Sequence, residues 1–168
     1  MDATTLRAAQ QPLKDAYRED PAQALVTLRA EGAVGEGVTC SVQTGRAIAE
    51  AGLHPASGGD GRSLCSGDML LEALVACAGV SMSAVATSLG IELRSATVRA
   101  EGDIDFRGTL GVDRDAPVGF RAIRLTFELD TDADEDAVAK LVAITERVCV
   151  VLQTIRSSPD VACEVARV

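Results

Sequence analysis

The most continuous apolar pattern in the chain lies at residues 68–89 and predicts a long helix. No charged residue occurs between Ala73 and Ile91, so each face of this helix is apolar or weakly polar, which is typical of a helix buried on all sides. Ser66 is a candidate N-cap, and Asp68 places a negative charge in the first turn. Gly90 is expected to end the helix, since glycine readily adopts the left-handed conformation found there.

A second long helix is predicted from Ala133 to Ser157. Asp132 and Glu135 resemble a capping box with Asp in the place of Ser or Thr. Apolar side chains then recur at helical spacing and form one stripe along the helix. The stripe consists of Val138, Leu141, Val142, Thr145, Val148, Cys149, Leu152 and Ile155.

Alternation of apolar and polar residues predicts strands before the first helix. Val38, Cys40 and Val42 fall on one face of such a strand, with polar residues between them. The segment 46–53 is expected to pair with it after a turn at Gly45. These residues therefore predict a half-buried antiparallel pair.

Three more strands are predicted further along the chain. Segments 92–106 and 120–130 alternate strongly between the two helices, and segment 161–168 follows the second helix. Gly and Pro in segment 107–119 predict a loop between the first two, and segment 54–67 is predicted to be a loop before the first helix.

The N-terminal region carries weaker signals. Residues 4–18 predict a helix that Pro12 kinks and Pro21 follows. Residues 24–30 form a short β-like run. Strands and helices are thus segregated rather than alternating, which indicates an α+β fold. No repeat or long linker divides the chain, so we expect one domain over residues 1–168 with a helical extension at residues 1–20.

Composition and charge exclude several function classes. The chain has 168 residues, a formal net charge of −9 and only 2% aromatic residues, so it lacks both the basic surface and the stacking platforms that nucleic-acid binding needs. The uncharged stretch from residue 73 to 91 has the length of a membrane span. Its serines and the absence of flanking aromatic and basic residues favour a buried helix of a soluble protein. The N-terminus does not resemble a signal peptide, so we expect a cytoplasmic protein whose thiols stay reduced.

Cys77 and Cys149 are the candidate reactive groups. Each lies on one of the two long predicted helices, and packed helices bring facing cysteines within reach of a disulfide. Either thiol could equally be a packing residue, because free cysteine is often buried as a small hydrophobe. Reactivity requires a lowered pKa. Cys77 lies in mid-helix, so we expect an arginine from elsewhere, rather than the end of its own helix, to lower the pKa of its thiol.

The other cysteines and the single histidine show no motif typical of a reactive or metal-binding site. Cys40, Cys65 and Cys163 stand singly, without the paired spacing of a zinc site. His54 falls in a Gly-rich loop that lacks the Gly-Lys-Ser/Thr end of a P-loop. No G-x-S-x-G motif marks a serine nucleophile for this histidine.

Two stretches together resemble the OsmC/Ohr family. SGDMLLEALVACAGVSMSAVATSLGI resembles its first signature helix, and ERVCVVLQTIRSSPDVACEV resembles its second. The resemblance covers roughly residues 38–168. It implies an intertwined homodimer in which two long central helices are wrapped by antiparallel sheets from both chains. It also implies a thiol-dependent peroxidase that reduces organic hydroperoxides in oxidative or osmotic stress, without a metal or organic cofactor.

The resemblance also implies roles for individual residues. Cys77 corresponds to the peroxidatic thiolate, which becomes a sulfenic acid, and Cys149 to the thiol that forms a disulfide with it. A dithiol, commonly lipoyl-linked, then reduces the pair. The family's acid corresponds to Asp68, with Glu72 as a substitute whose place is one turn further on.

The arginine that accompanies the acid has three candidates: Arg46, Arg29 and Arg62. Val150 stands where family members often have proline, and the N-terminal extension is not part of the core pattern. Both departures suggest the OsmC-like branch of the family. Two alternatives stay open: a dimer that binds a small apolar ligand without turnover, and a redox sensor that passes its disulfide to a partner protein.

Overall fold

The fold is given by a computed structural model. It describes residues 2–5, 8, 10–11, 19, 31–34, 39–43, 48–111 and 113–167. Residues 3–5, 8 and 10–11 are helical, in agreement with the predicted N-terminal helix. The predicted kink at Pro12, the run at residues 24–30 and the turn at Gly45 lie outside the described residues.

A four-stranded sheet precedes the first long helix. Strands β1 to β3 are antiparallel neighbours, and β4 pairs with β3 in parallel. The strands are β1 (Glu31–Val34), β2 (Thr39–Gln43), β3 (Ile48–Gly52) and β4 (Leu64–Cys65). The predicted antiparallel pair is confirmed by β2 and β3, in which Cys40 lies opposite Ala51. The predicted loop 54–67 is wrong in part, since it contains β4 and a 3-10 helix at Pro55–Ser57.

The first long helix, α1, runs from Ser66 to Leu89. Ser66 is therefore the first helical residue and not the N-cap, which is Cys65 in extended conformation. The predicted end is confirmed. Gly90 has φ of 71° and its N–H donates to the carbonyls of Ala86 and Thr87, a conformation that costs glycine little because it has no Cβ.

A two-stranded antiparallel sheet follows α1. Strands β5 (Ser95–Ile104) and β6 (Phe120–Asp130) confirm two of the predicted strands. The predicted loop between them contains one helical turn, α2 (Phe106–Thr109), which begins where the Asp105 carboxylate accepts the N–H of Arg107. One face of the sheet carries Val98, Ala100, Ile123, Leu125 and Phe127 toward α1, while charged side chains occupy the other face.

The second predicted helix is two helices. α3 (Glu135–Val148) and α4 (Val150–Arg156) meet at Cys149, whose φ of −72° and ψ of 104° are extended. Three β-branched valines flank Cys149, and such residues have low helix propensity. The cap is also shifted, because Asp134, and not Asp132 with Glu135, accepts the N–H of Ala137.

The predicted C-terminal strand is wrong for residues 161–167, which belong to no strand. A strand needs a neighbouring strand to pair its backbone groups, whereas this tail is exposed along its length. The mixed content of helices and strands otherwise agrees with the predicted α+β class.

The buried core lies between α1, the β5–β6 sheet and the α3–α4 pair. One cluster joins Leu74 and Ala78 of α1 to Cys149 and Leu152, and a second joins Met82, Val85 and Ala86 to Leu141. By length and composition alone, α1 could also cross a membrane. Core helices of soluble proteins meet the same criterion, and α1 packs against the core along one face. The predicted burial on all sides is wrong for the single chain, because Leu70 and Val80 of α1 are exposed.

Candidate active site

The fold brings Cys77 and Cys149 together. Cys77 is half-buried on α1 and packs against the cluster of Leu74, Ala78, Leu152 and Cys149. Cys149 is fully buried at the junction of α3 and α4. Both are free thiols, and they are close enough for each to shift the pKa of the other. The two helices on which they were predicted therefore do pack with the cysteines facing.

Ala78 is the small residue of α1 that packs beside Cys77 in the core. Its neighbours differ, because Ala76 is exposed and Gly79 faces Val98 of β5, and the distance between packed helices depends on the side chains at their contact. Ala78 is fully buried in the same cluster. This part of α1 therefore places a sulfur against the α3–α4 junction with little bulk between.

The pKa of the Cys77 thiol lies below its ordinary value. Burial acts to raise it, but hydrogen bonds to the sulfur outweigh burial because they stabilise the charged thiolate. The donors are the Val151 N–H, the Cys149 S–H, the Val150 N–H and the Ser81 O–H. Cys77 is therefore the thiol that ionises more readily and is the better nucleophile at neutral pH.

The break at Cys149 is the source of two of these donors. The first N–H groups of a helix have no partner within that helix, and those of Val150 and Val151 at the start of α4 donate to the Cys77 sulfur. The sequence predicted that the end of its own helix would not assist Cys77, and it did not predict the start of a second helix beside the sulfur. The end of its own helix is distant, but the beginning of another helix lies beside the sulfur.

The pKa of the Cys149 thiol lies above its ordinary value. Burial is the main cause, and the neighbouring Cys77 adds to it, because a second negative charge beside a thiolate is unfavourable. The Leu152 N–H acts in the opposite direction without outweighing burial. The two sulfurs are thus unequal: one ionises early, while the other keeps its proton and donates it in a hydrogen bond.

A groove of about 570 Å³ adjoins the cysteine pair. Ile123, Leu125, Leu152 and Ile155 line it and also belong to the cluster around the two thiols. Its rim is charged, and the Arg156 guanidinium donates to the Glu146 carboxylate at 2.9 Å. An apolar molecule of moderate size could lie in this groove, although neither Cys77 nor Cys149 lines it.

Comparison with known proteins decides the family. The model of the OsmC-like protein family matches residues 59–164, which is more than half of the chain. The chain belongs to the OsmC-like family. The predicted resemblance to OsmC/Ohr proteins is therefore confirmed.

Solved structures share the OsmC-like fold at low sequence identity. An OsmC-like protein from Mycoplasma pneumoniae has a TM-score of 0.67 and 14% identity over 79% of this chain and 89% of its own. An organic hydroperoxide resistance protein OsmC from Legionella pneumophila has a TM-score of 0.62 and 19% identity, over 79% of this chain and 91% of its own. An organic hydroperoxide resistance protein from Elizabethkingia anophelis, with thiocyanate bound, has a TM-score of 0.62 and 17% identity, over 80% of this chain and 91% of its own. No curated protein matches the sequence.

The acid of the OsmC-like family does not approach Cys77 within the single chain. Asp68 and Glu72 precede Cys77 on α1 by spacings that place them about half a turn away around the helix axis. Both line a separate open hollow of about 470 Å³ with Leu71 and Val75. Neither is among the hydrogen-bond partners that lower the pKa of Cys77, so their role stays a prediction.

The identity of the arginine that the family resemblance implies also stays a prediction. Arg46 and Arg29 lie outside the described residues. The side chain of Arg62 is 89% exposed and lies 3.7 Å from the Asp60 carboxylate, so Arg62 is a solvated surface charge. Within the part of the chain that the structure describes, no arginine is among the groups that lower the pKa of Cys77.

The other sequence candidates lie apart from the cysteine pair. Nδ1 of His54 accepts the Ala56 N–H at 3.0 Å, and its ring stacks on Phe106 with centroids 5.0 Å apart, which fits the predicted loop role. Cys65 is half-buried and Cys163 exposed; the side chain of Cys40 is outside the described part. Across the described segments, no three His, Cys, Asp or Glu side chains could hold a metal ion.

Sequence reasoning missed two polar groups near the cysteines. Ser81 follows Cys77 by one helical turn, a spacing that puts both side chains on one face and that could have identified it. Thr145 precedes Cys149 by one turn on α3, and its fully buried hydroxyl has no hydrogen-bond partner. It was predicted only as a member of the apolar stripe.

Proposed function

We propose that the protein is a thiol-dependent peroxidase that reduces organic hydroperoxides. The observation that carries this proposal is the pair of contacting thiols whose pKa values shift in opposite directions, downward for Cys77 and upward for Cys149. A peroxidatic thiol must be ionised to attack, whereas a resolving thiol needs only to be near. The names of the Legionella and Elizabethkingia structures, both organic hydroperoxide resistance proteins, agree with this reaction.

The reaction has two steps on the two sulfurs. The Cys77 thiolate attacks the terminal oxygen of the hydroperoxide, the O–O bond breaks, and the departing alkoxide takes up a proton to become an alcohol. Cys77 becomes a sulfenic acid. Cys149 then attacks the Cys77 sulfur; a disulfide forms, the S–O bond breaks, and the hydroxyl leaves with the thiol proton as water.

Regeneration requires an external dithiol. A lipoyl group is one example of such a reductant. Thiol–disulfide exchange with it returns both cysteines to the thiol form, while the reductant becomes a cyclic disulfide. A reducing cytoplasm would supply this partner. The reaction as proposed uses only sulfur chemistry of the protein and needs no resident metal or organic cofactor.

Asp68 and Arg46 are proposed to complete the site, with Glu72 as the alternative acid. Their placement would come from assembly, since Asp68 and Glu72 face away from Cys77 within one chain. An arginine near the sulfur would stabilise the thiolate further, and a carboxylate would fix the arginine in place.

A homodimer is proposed as the active form. Leu70 and Val80 on α1, together with Val148 and Val150 beside Cys149, are large apolar side chains left exposed in the single chain. Val80 is 72% exposed in the middle of a helix of 24 residues. A second copy of the chain packed over α1 would bury these side chains and bring the charged residues of its N-terminal sheet to the cysteines.

The proposal is tested by oxidising the reduced protein with one equivalent of cumene hydroperoxide and mapping the products by peptide mass spectrometry. We expect a Cys77–Cys149 disulfide in the wild type. In Cys149→Ser we expect a Cys77 sulfenic acid that dimedone traps. A Cys77 thiol that remains reduced in both proteins would refute the assignment.

A second candidate is an apolar-ligand carrier, favoured by the groove beside the cysteines. Apolar side chains line much of the groove, with Arg121, Glu146 and Arg156 among the charged lining residues. Neither Asp68 nor Glu72 is among the groups that lower the pKa of Cys77 in the single chain. Native mass spectrometry of the purified protein distinguishes the two functions. A retained apolar molecule together with unreactive thiols would favour the carrier.

A further inference from the structure

The Thr145 hydroxyl is unusual because it is fully buried and unpaired. Thr145 is 0% exposed, and among the described side chains its Oγ1 is the one buried oxygen or nitrogen without a hydrogen-bond partner. Leaving a buried hydroxyl unpaired costs about 1–3 kcal/mol. Native structures rarely accept this cost without a reason.

A helical threonine has an easy way to avoid that cost. Its hydroxyl can donate to the carbonyl one turn earlier in the same helix, and Thr87 of α1 does so, with Oγ1 at 2.8 Å from the Ser83 carbonyl. Thr145 also lies in a helix, yet its hydroxyl makes no such bond. The Thr145 hydroxyl is therefore left available for a partner other than the backbone of α3.

The position of Thr145 points to Cys149 as that partner. The Cys149 N–H donates to the Thr145 carbonyl at 3.0 Å, so the two residues are one helical turn apart. Side chains at this spacing lie on the same face of a helix, and both are fully buried.

The need for a new partner arises when Cys77 is oxidised. In the reduced protein Cys77 packs against the cluster that contains Cys149, and the Cys149 S–H is a donor that helps to lower the pKa of the Cys77 thiol. A sulfenic acid has no negative charge on sulfur, so Cys77 is then a poor acceptor. Cys149 must turn its S–H away from Cys77 for a sulfur lone pair to attack.

We propose that Thr145 is a positioning residue for disulfide formation, whose hydroxyl oxygen accepts the Cys149 S–H once Cys77 is a sulfenic acid. This inference rests on the proposed peroxidase function. The step balances: the S–S bond forms, the S–O bond of Cys77 breaks, the Cys149 thiol proton passes to the Thr145 oxygen, and Thr145 gives its own hydroxyl proton to the departing hydroxyl, which leaves as water. Thr145 is not consumed, because it ends the step with one O–H bond as it began.

The experiment separates the two chemical steps in the full-length protein. Reduced protein is mixed with one equivalent of cumene hydroperoxide, samples are quenched with dimedone at intervals, and intact mass gives the sulfenate and disulfide fractions. Thr145→Val removes the hydroxyl at nearly constant volume, and Thr145→Ser restores it. Thr145→Ala is a second hydroxyl-free variant should Thr145→Val fail to fold. Thr87→Val is the matched control, because that hydroxyl already has a backbone partner.

We expect Thr145→Val and Thr145→Ala to form sulfenate at the wild-type rate but to close the disulfide at least about tenfold more slowly. Thr145→Ser and Thr87→Val should close it at a rate near that of the wild type. Wild-type closure rates in both hydroxyl-free variants would overturn the role of Thr145 and leave the peroxidase proposal intact. A wild-type protein that forms neither sulfenate nor disulfide would overturn both.

Discussion

At the scale of single residues, the two thiols differ in the hydrogen bonds that their sulfurs accept. Cys77 accepts from two backbone amides, a thiol and the Ser81 hydroxyl, which together outweigh its partial burial. Burial dominates at Cys149, which is fully enclosed. The sequence identified both cysteines as candidates, but it could not rank their pKa values, because the donors come from residues far apart in the chain.

Replacing Ser81 tests the contribution of one donor. The Ser81 hydroxyl helps to hold the pKa of the Cys77 thiol below its ordinary value, so Ser81→Ala should raise that pKa and leave less thiolate at neutral pH. We expect a severalfold lower rate of iodoacetamide labelling of Cys77 at pH 7, and a labelling profile moved toward higher pH. Peptide mass spectrometry separates Cys77 from the other cysteines.

Ser83→Ala is the matched control for this measurement. Ser83 lies on the same helix but is exposed and is not among the donors to Cys77, so the profile should stay that of the wild type. Equal profiles for Ser81→Ala and the wild type would show that the hydroxyl does not stabilise the thiolate.

At the scale of elements, the sequence pattern did not predict the junction of α3 and α4. The apolar stripe continues across Cys149 with helical spacing, so it predicted one helix from 133 to 157. Periodicity reports which residues face the core and is not sensitive to one residue in an extended conformation. A proline after Cys149 would have marked the start of a new helix; this chain has Val150 there.

Val150→Pro tests the junction directly. Proline is tolerated at the first position of a helix, and the extended conformation of Cys149 suits a residue before proline. The change removes the Val150 N–H from Cys77 while α4 persists. We expect a melting temperature near that of the wild type, a higher pKa for the Cys77 thiol and a severalfold slower alkylation at pH 7.

Val150→Ala keeps the N–H and removes most of the side chain, so it controls for lost packing. The junction would have no part in activating Cys77 if Val150→Pro and Val150→Ala gave the same alkylation profile.

At the scale of the whole molecule, the sequence predicted most of the fold. The strands β2, β3, β5 and β6 and the helix α1 occur where alternation and helical spacing placed them. Errors arose where structure depends on distant residues. The tail at 161–167 alternates like a strand but pairs with no strand among the described residues. The roles of the acid and the arginine stay predictions, because the single chain does not test them.

Assembly is tested by placing a charge on α1. If a second copy covers Val80, then Val80→Asp would bury a carboxylate in an apolar contact, at a cost of several kcal/mol. We expect light scattering to give twice the mass of one chain for the wild type and the mass of one chain for Val80→Asp. Ala139→Asp, on the exposed face of α3, should remain dimeric. A wild-type protein with the mass of a single chain would contradict the dimer.

The most direct test of the whole account is sustained consumption of cumene hydroperoxide by the reduced protein with excess dihydrolipoamide. We predict many turnovers for the wild type and none for Cys77→Ser. Cys149→Ser should consume about one equivalent of the hydroperoxide and then stop. Continued turnover by Cys77→Ser, or no consumption by a wild-type protein whose two thiols are free and titratable, would contradict it.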